Sequence, residues 1–226
     1  MNPTIHPRTR ATLQDAIRNI YQMADLAVPH PSGNGSRRSL TLGVTSPNPG
    51  EGKTTIAIGL ASSLADDLGS EVTLVDADFH THSIELEYGL SGEQGLAELL
   101  DGTASAPGVR HQVPATSLSV VTAGTRLRDA ERSVRTEHAV SLVQNMRAAN
   151  SHVVYDLPAV LPSSTAPVLA RLCDGVIVVV RCGRTTRRDV EASFDKLKGA
   201  TVLGVVLNQW ETSIPGWLER VLALRR

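Results

Sequence analysis

The chain has 226 residues, enough for one large α/β domain or at most two small ones. With 22 Lys and Arg against 23 Asp and Glu, its formal net charge is -1, and no global excess of charge points to nucleic acid. Hydrophobic residues at 41% exclude wholesale disorder, and aromatics at 3% exclude the stacking platforms of single-strand nucleic-acid binders.

Residues 11–27 repeat apolar positions at helical spacing (Leu13, Ile17, Ile20, Ala24, Ala27), with Thr9 or Thr12 as the cap. The Pro-, Gly- and Ser-rich stretch 28–38 reads as a linker, so residues 1–38 form an N-terminal helix and flexible linker ahead of a main domain at 39–226. From there β-rich runs alternate with helical ones. Strands are expected at 39–45, 71–76, 118–122, 152–156, 175–181 and 201–207, and helices at 53–68, 94–101, 136–149, 163–172, 187–198 and 215–225. The strands are near-continuous Val, Leu and Ile runs, as in a parallel sheet covered on both faces. The expectation is a three-layer α/β domain with a mainly parallel, doubly wound sheet.

Cys173 and Cys182 flank one strand candidate and would lie roughly 30 Å apart at ~3.3 Å per residue, too far to bridge. Reduced thiols in a cytoplasmic protein follow as the simplest reading. The start MNPTIHPRTR has no apolar stretch behind its charges, and no run reaches the ~18 apolar residues of a membrane span. Any membrane role is therefore expected to be peripheral or through a partner.

The first strand runs directly into TSPNPGEGKTT, residues 45–55, and then a helix opens. Gly50 and Gly52 allow a tight turn whose N–H groups face phosphate oxygens, and the helix N-terminus adds partial positive charge. Pro49, Gly50, Glu51, Gly52, Lys53, Thr54 and Thr55 are the expected nucleotide-binding residues. Lys53 would reach the β- and γ-phosphates and Thr54 would ligate Mg2+, although Pro47 stands where the usual pattern has its first Gly. The next strand ends in LVDADFH and is expected to neighbour the loop strand, bringing Asp76 and Asp78 to the carboxyl edge of the sheet. Asp156 closes HVVYD as a further acid near the metal. A guanine site usually carries N-K-x-D, whereas this chain reads Asn208-Gln209-Trp210-Glu211, so ATP is favoured. Asn208 reads either as a donor and acceptor for the adenine edge or as a strand-end turn residue.

Taken together, TSPNPGEGKTT, LVDADFH, GLAELLDG, LSVVTAG, VVYDLP and the stretch 174–208 resemble the cytoplasmic domain of bacterial tyrosine kinases. These are ATP-dependent regulators of capsular and exopolysaccharide synthesis, in the same deviant P-loop superclass as septum-site and partition ATPases. Family members normally lack the first loop Gly. The resemblance, over roughly residues 12–210, implies that Lys53 and Thr54 hold phosphate and Mg2+ and that Asp76 and Asp156 organise the metal. It implies Asp78 as the catalytic base for a tyrosine hydroxyl, alongside Lys53. It also implies a membrane-embedded polysaccharide co-polymerase as partner, and a homo-oligomer assembled through an E-x-x-R-x-x-R helix that here reads Asp15-x-x-Arg18-x-x-Tyr21.

Three departures stand out. The chain ends WLERVLALRR, without the tyrosine cluster of the family's tail, and its only tyrosines are Tyr21, Tyr88 and Tyr155, the last expected in the core. D-x-D-x-R-x-P becomes D-x-D-x-H-x-H, with His80 and His82 read as loop residues near the nucleotide or as a metal pair. The family's proline-rich segment is replaced by 125–138, where Arg126, Arg128, Arg132 and Arg135 interleave with acids as a solvated helix face or a docking face. Arg181, Arg184, Arg187 and Arg188, with Thr185 and Thr186, contact a partner or cap the next helix. The alternative function is a partition-like or septum-site-like ATPase that dimerises and binds DNA or membrane. Its partner-facing lysine would fall at position 48, which is Asn, although the tail (Trp217, Leu218, Val221, Leu222, Leu224) has an amphipathic pattern.

Overall fold

Seven strands form a single sheet in the computed structural model, which describes residues 39–68, 71–125, 133–134, 136, 139–142 and 152–209. In chain order these are β1 (Thr41–Thr45), β2 (Val72–Asp76), β3 (His111–Gln112), β4 (Leu118–Val121), β5 (His152–Asp156), β6 (Gly175–Arg181) and β7 (Val202–Asn208). Five helices accompany them among the described residues: α1 (Lys53–Leu68), α2 (Ser83–Tyr88), α3 (Leu96–Leu100), α4 (Ala166–Leu172) and α5 (Arg187–Lys196). All six expected strands are present within two residues of their expected ends. The expected helices at 11–27 and 215–225, the linker 28–38 and most of the helix at 136–149 lie outside the described residues.

The sheet order is β3-β4-β2-β5-β1-β6-β7, parallel throughout except for the β3–β4 pair. One expectation needs correcting: β2 does not neighbour the loop strand β1. β5 is inserted between them, pairing Val44 with Asp156 on one side and Asp76 with Asp156 on the other. Parallel connections have to cross over, and a later strand can enter between two earlier ones. The order thus sets Asp76 and Asp156 side by side.

Helix α1 covers one face. Ile56, Ala57, Leu60, Ala61, Leu64 and Ala65 recur at helical spacing and bury against Leu42, Val44, Leu74, Val154, Ile177 and Val179. The other face packs Val75, Val153, Tyr155, Val176 and Val178 with Leu96, Leu99, Leu169, Ala170 and Leu197. Aliphatic side chains fill both layers, and Phe79 and Tyr155 are the buried aromatics among the described residues. The register partner of Tyr155 on β1 is Gly43. A Cβ on Gly43 would come within 2.8 Å of Leu157 Cδ1.

Two elements carried no readable signal. α2 is six residues long, entered at His82 with φ 46° and left at Gly89 with φ 67°. β3 is a two-residue antiparallel edge strand. Helix boundaries follow capping. Ser163 Oγ accepts from the N–H groups of Thr165 and Ala166 at 3.1 and 3.0 Å, which delays α4. Thr186 and Asp189 form a reciprocal capping box at the start of α5.

The loop after β4 is clamped by Glu98. Its carboxylate accepts from Gly95 N at 2.8 Å, Thr125 N at 3.0 Å and Thr125 Oγ1 at 2.7 Å. A Cβ on Gly95 would fall on the backbone oxygen of Thr122, which cannot swing away. Gly95→Ala is expected to cost about 1–3 kcal/mol, read as a Tm loss of about 2–4 °C per kcal/mol at this length. Gly204→Ala, which meets open space, should stay within about 0.5 kcal/mol of wild type. Equal melting temperatures for the two variants would contradict this account.

Candidate phosphate and metal site

β1 ends at Thr45, and the chain loops through residues 46–52 before α1 begins at Lys53. The turn uses Gly50 at φ 77° and Gly52 at φ 93°, a region that side chains with a Cβ disfavour. Gly52 has a second constraint, because the side-chain amide of Asn208 occupies the space a Cβ would need. A cavity of about 380 Å3 opens at the start of α1, and Pro49, Gly50, Gly52, Lys53, Thr54 and Thr55 line it. Ile58, Thr81, Ser83, Glu87 and Gln209 complete its wall. Six of the seven expected loop residues therefore face one space, at the positive end of a helix dipole.

The seventh, Glu51, faces away. Its buried carboxylate accepts from Asn48 N at 3.2 Å, Asn48 Nδ2 at 3.3 Å and Thr185 Oγ1 at 2.7 Å. Asn208, at the end of β7, donates through Nδ2 to the Glu51 carbonyl at 2.9 Å and accepts from Gln209 N at 2.9 Å. Its amide grips the loop backbone, while its neighbour Gln209 lines the cavity.

Lys53 reaches the carboxyl edge of the sheet. Its Nζ lies 2.7 Å from Asp78 Oδ2, 3.5 Å from Asp156 Oδ1 and 3.3 Å from Thr54 Oγ1. Asp76 accepts the Asp78 backbone N–H through Oδ1 at 3.0 Å, while its Oδ2 is buried without a partner. One buried ammonium thus faces three buried carboxylates. Burial works against the Lys53 charge, but Asp156 and Asp78 lift its pKa above the ordinary value. Burial also acts on Asp78, yet the Lys53 ammonium wins and holds this carboxyl below its usual range. Asp76 is pushed up to about 8 by burial and then by the Asp156 charge. Asp156 is pushed up to about 6 by burial, with Lys53 pulling the other way.

The donor set fits Mg2+. An orphaned buried carboxylate oxygen, a second raised carboxyl beside it and the Thr54 hydroxyl are hard oxygen ligands. Among the described residues no three His, Cys, Asp or Glu side chains gather into a complete metal cage. Mg2+ suits that arrangement, because it keeps waters and takes phosphate oxygens alongside one or two carboxylates.

The two histidines do not act as a pair here. His82 Nδ1 lies 3.2 Å from Glu85 Oε1, and His80 is exposed, donating its backbone N–H to Asp78 Oδ1 at 3.2 Å. Tyr155 is buried and Tyr88 half-buried; Tyr21 and the arginines at 126, 128, 132 and 135 lie outside the described residues. The threonines after β6 have resolved roles, with Thr185 on Glu51 and Thr186 capping α5. Sequence reasoning missed the Glu51–Thr185 and Asn208–Glu51 bonds, because neither spacing nor composition marks contacts between positions this far apart in the chain. A larger cavity of about 450 Å3, beside Arg110 and Gln112, includes Thr73 and Ser119 near the starts of β2 and β4. It therefore lies at the opposite strand ends from the carboxylates.

Residues 42–219 match the family profile of the CobQ/CobB/MinD/ParA nucleotide binding domain. The chain belongs to that family. Within it, the chain is 31% identical over 177 residues to the tyrosine-protein kinase CpsD of Streptococcus pneumoniae serotype 4, covering 76% of this chain and 77% of CpsD. It is 32% identical over 205 residues to the succinoglycan biosynthesis transport protein ExoP of Rhizobium meliloti, covering 88% of this chain but only 25% of ExoP. The solved kinase domain of VpsO superposes with a TM-score of 0.76 at 28% identity, covering 89% of this chain and 96% of that domain. These relatives place this CobQ/CobB/MinD/ParA-family chain among the bacterial tyrosine kinases of capsule and exopolysaccharide synthesis. The fold itself extends further, to a cobyrinic acid a,c-diamide synthase from Mycobacterium smegmatis solved with an ATP analogue and magnesium, at 19% identity and TM-score 0.66. A plasmid partition protein from Borrelia burgdorferi shares the fold alone, at 17% identity. No described helix is long and apolar enough to cross a membrane.

The raised carboxyls have a thermodynamic consequence. Above the ordinary carboxylate value and up to about 8, the folded chain keeps a proton on Asp76 that the unfolded chain has released. Stability without metal is therefore expected to fall as pH rises through this window, the Asp156 part being complete by about 6. Asp76→Asn should flatten the slope and raise the Tm of metal-free protein at pH 8, each kcal/mol regained giving about 2–4 °C. It should also abolish stabilisation by Mg2+ with nucleotide. Thermal melts from pH 5 to 9, with EDTA or with Mg-ADP, test both.

Proposed function

We propose that this chain binds Mg-ATP at the 46–55 loop and catalyses phosphoryl transfer of the tyrosine-kinase type, in service of polysaccharide synthesis or export. The observation that carries this reading is the Lys53 ammonium lodged between Asp78 and Asp156, beside the orphaned Asp76 oxygen, with Lys53 itself lining the loop cavity. Lys53, with Gly50, Gly52 and the first turn of α1, positions the phosphates and meets their charge. Mg2+, held by Thr54, Asp76 and Asp156, would neutralise charge on the β- and γ-phosphate oxygens when bound. Asp78 is kept ionised by Lys53 and so is able to take the proton of an attacking hydroxyl. That oxygen bonds to the γ-phosphorus as the bond to the ADP leaving oxygen breaks. Gln209 lies on the cavity wall, and Asn208 holds the loop from behind through the Glu51 carbonyl.

No tyrosine is fully exposed among the described residues. Tyr155 is buried in the sheet and Tyr88 is half-buried against α1. The sequence after residue 209 contains no tyrosine. The reading is transfer to a tyrosine on a partner, or hydrolysis of ATP as a switch. The partner proposed is a membrane-embedded polysaccharide co-polymerase, with contact to the membrane made through it. The partition-type alternative is not favoured. Asn48, where such ATPases carry a partner-facing lysine, spends its side chain on Glu51 within the same chain.

Incubating the protein with Mg-ATP, with Lys53→Met as control, and mapping phosphate by mass spectrometry tests the reading. Nucleotide turnover should fall by about 10²-fold or more in the variant, the scale of losing one preorganised charge at the reacting group. Phosphotyrosine formed by wild type but not by the variant, on the chain or on an added tyrosine-containing peptide, marks a kinase, and turnover without phosphotyrosine marks a switch. A wild-type protein that binds no Mg-ATP would sink both.

A further inference from the structure

The first half of the phosphate loop lacks the glycine that usually lets it turn, and Pro47 stands there instead. Something else has to hold residues 46–50 in shape. Ser46 Oγ donates to Asn48 O at 2.8 Å, which closes the turn locally. From the segment after β5, Val160 N holds the Ser46 carbonyl and Leu161 N the Pro47 carbonyl. The restraint on Asn48 converges on one side chain, the 2%-exposed carboxylate of Glu51. Oε2 accepts the Asn48 backbone N–H, and Oε1 accepts the Asn48 side-chain amide and the Thr185 hydroxyl.

Thr185 is itself fixed. Its Oγ1 accepts from Arg181 N at 3.0 Å, and its own N–H donates to Arg181 O at 3.0 Å, so the 181–185 turn closes on the end of β6. From the neighbouring strand, Asn208 holds the Glu51 carbonyl, and Cys182 N donates to Asn208 O at 3.0 Å. Residue 51 is thus gripped through its side chain from β6 and through its backbone from β7. Neither grip touches the cavity, since Glu51, Thr185 and Asn208 are absent from its lining.

We infer that Glu51 is a positioning residue that acts through Thr185, setting the loop N–H groups for phosphate from the far half of the sheet. The inference rests on the loop being the ATP site. Burying a carboxylate costs desolvation, and the three accepted hydrogen bonds are what offset that cost. Glu51→Gln places an amide N–H against either the Asn48 N–H or the Thr185 hydroxyl. Thr185→Val removes the hydroxyl and leaves Oε1 with one donor fewer. Because the loop contacts the phosphates in ground and transition states alike, the loss should fall on binding rather than on turnover at saturation.

The experiment is a double-mutant cycle on Mg-ATP and Mg-ADP affinity by calorimetry, with steady-state turnover alongside. Glu51→Gln and Thr185→Val should each raise Kd about tenfold, the scale of a hydrogen bond to a charged group. The double variant should lose no more than the worse single one, and Thr185→Ser should restore wild-type affinity. Turnover at saturating ATP should stay within about twofold of wild type. Kd values equal to wild type in both single variants overturn the inference, as do losses that simply add. A variant whose melting temperature drops while the folded fraction binds normally also overturns it, because that is the signature of general scaffolding. Should Glu51→Gln fail to fold, Thr185→Val against Thr185→Ser still decides. Wild type that binds no Mg-ATP, matching Lys53→Met, removes the ATP-site reading itself and is distinct from every outcome above.

Discussion

Three buried carboxylates facing one buried ammonium is the constraint around which this domain is organised. Lys53 keeps Asp78 ionised and partly offsets Asp156, but its one charge is too little for the Asp76–Asp156 pair. The surplus is tolerated as retained protons, which is costly for folding and useful for recruiting a divalent cation. Removing a buried charge's partner usually destabilises a protein. Here the partner for Asp76 is expected from outside the chain, and the site conforms to the general trade of stability for function.

The sheet order makes this concentration of charge possible. Insertion of β5 between β1 and β2 brings Asp156 into register with Asp76 and sets it one strand away from the loop. The segment after β5 then runs beside the phosphate loop. Val160 N donates to Ser46 O at 2.8 Å and Leu161 N to Pro47 O at 3.1 Å. Lys196, in the last turn of α5, donates to the carbonyl of Leu161. α5 therefore braces this loop from its C-terminal end, while its N-terminal cap follows directly on Thr185. The loops at the carboxyl edge are joined by polar bonds on a rigid support, as positioning chemistry requires.

Much of this was legible in the sequence. Near-continuous apolar runs located the six main strands, since a sheet covered on both faces has no polar side to interrupt them. Gly-Lys-Thr and the strand-end acids Asp76, Asp78 and Asp156 pointed to one edge of the sheet, where the structure sets Lys53 against Asp78 and Asp156. What escaped was set by tertiary contact. The neighbour of β1 depends on which crossover closes, and periodicity within a strand does not record it. α2 is too short for a helical repeat to emerge and begins at a histidine with positive φ. Asn208 could be read as an adenine contact or as a turn residue, and the structure bonds its amide to the Glu51 carbonyl. The Thr186-x-x-Asp189 spacing was a visible capping signal. Its neighbour Thr185 carried no local mark of the carboxylate it serves.

The end of β7 has an optical consequence. Gln209 forms part of the cavity wall and Asn208 grips the loop, and the next residue along the chain is Trp210. The other tryptophan, Trp217, also follows this strand in the sequence, and the described residues contain no tryptophan. Intrinsic indole emission from these 226 residues therefore arises wholly from Trp210 and Trp217. The scarcity of aromatics makes that emission a native label, with Trp210 next in sequence to the cavity-wall residue Gln209 and no tryptophan background from residues 1–209.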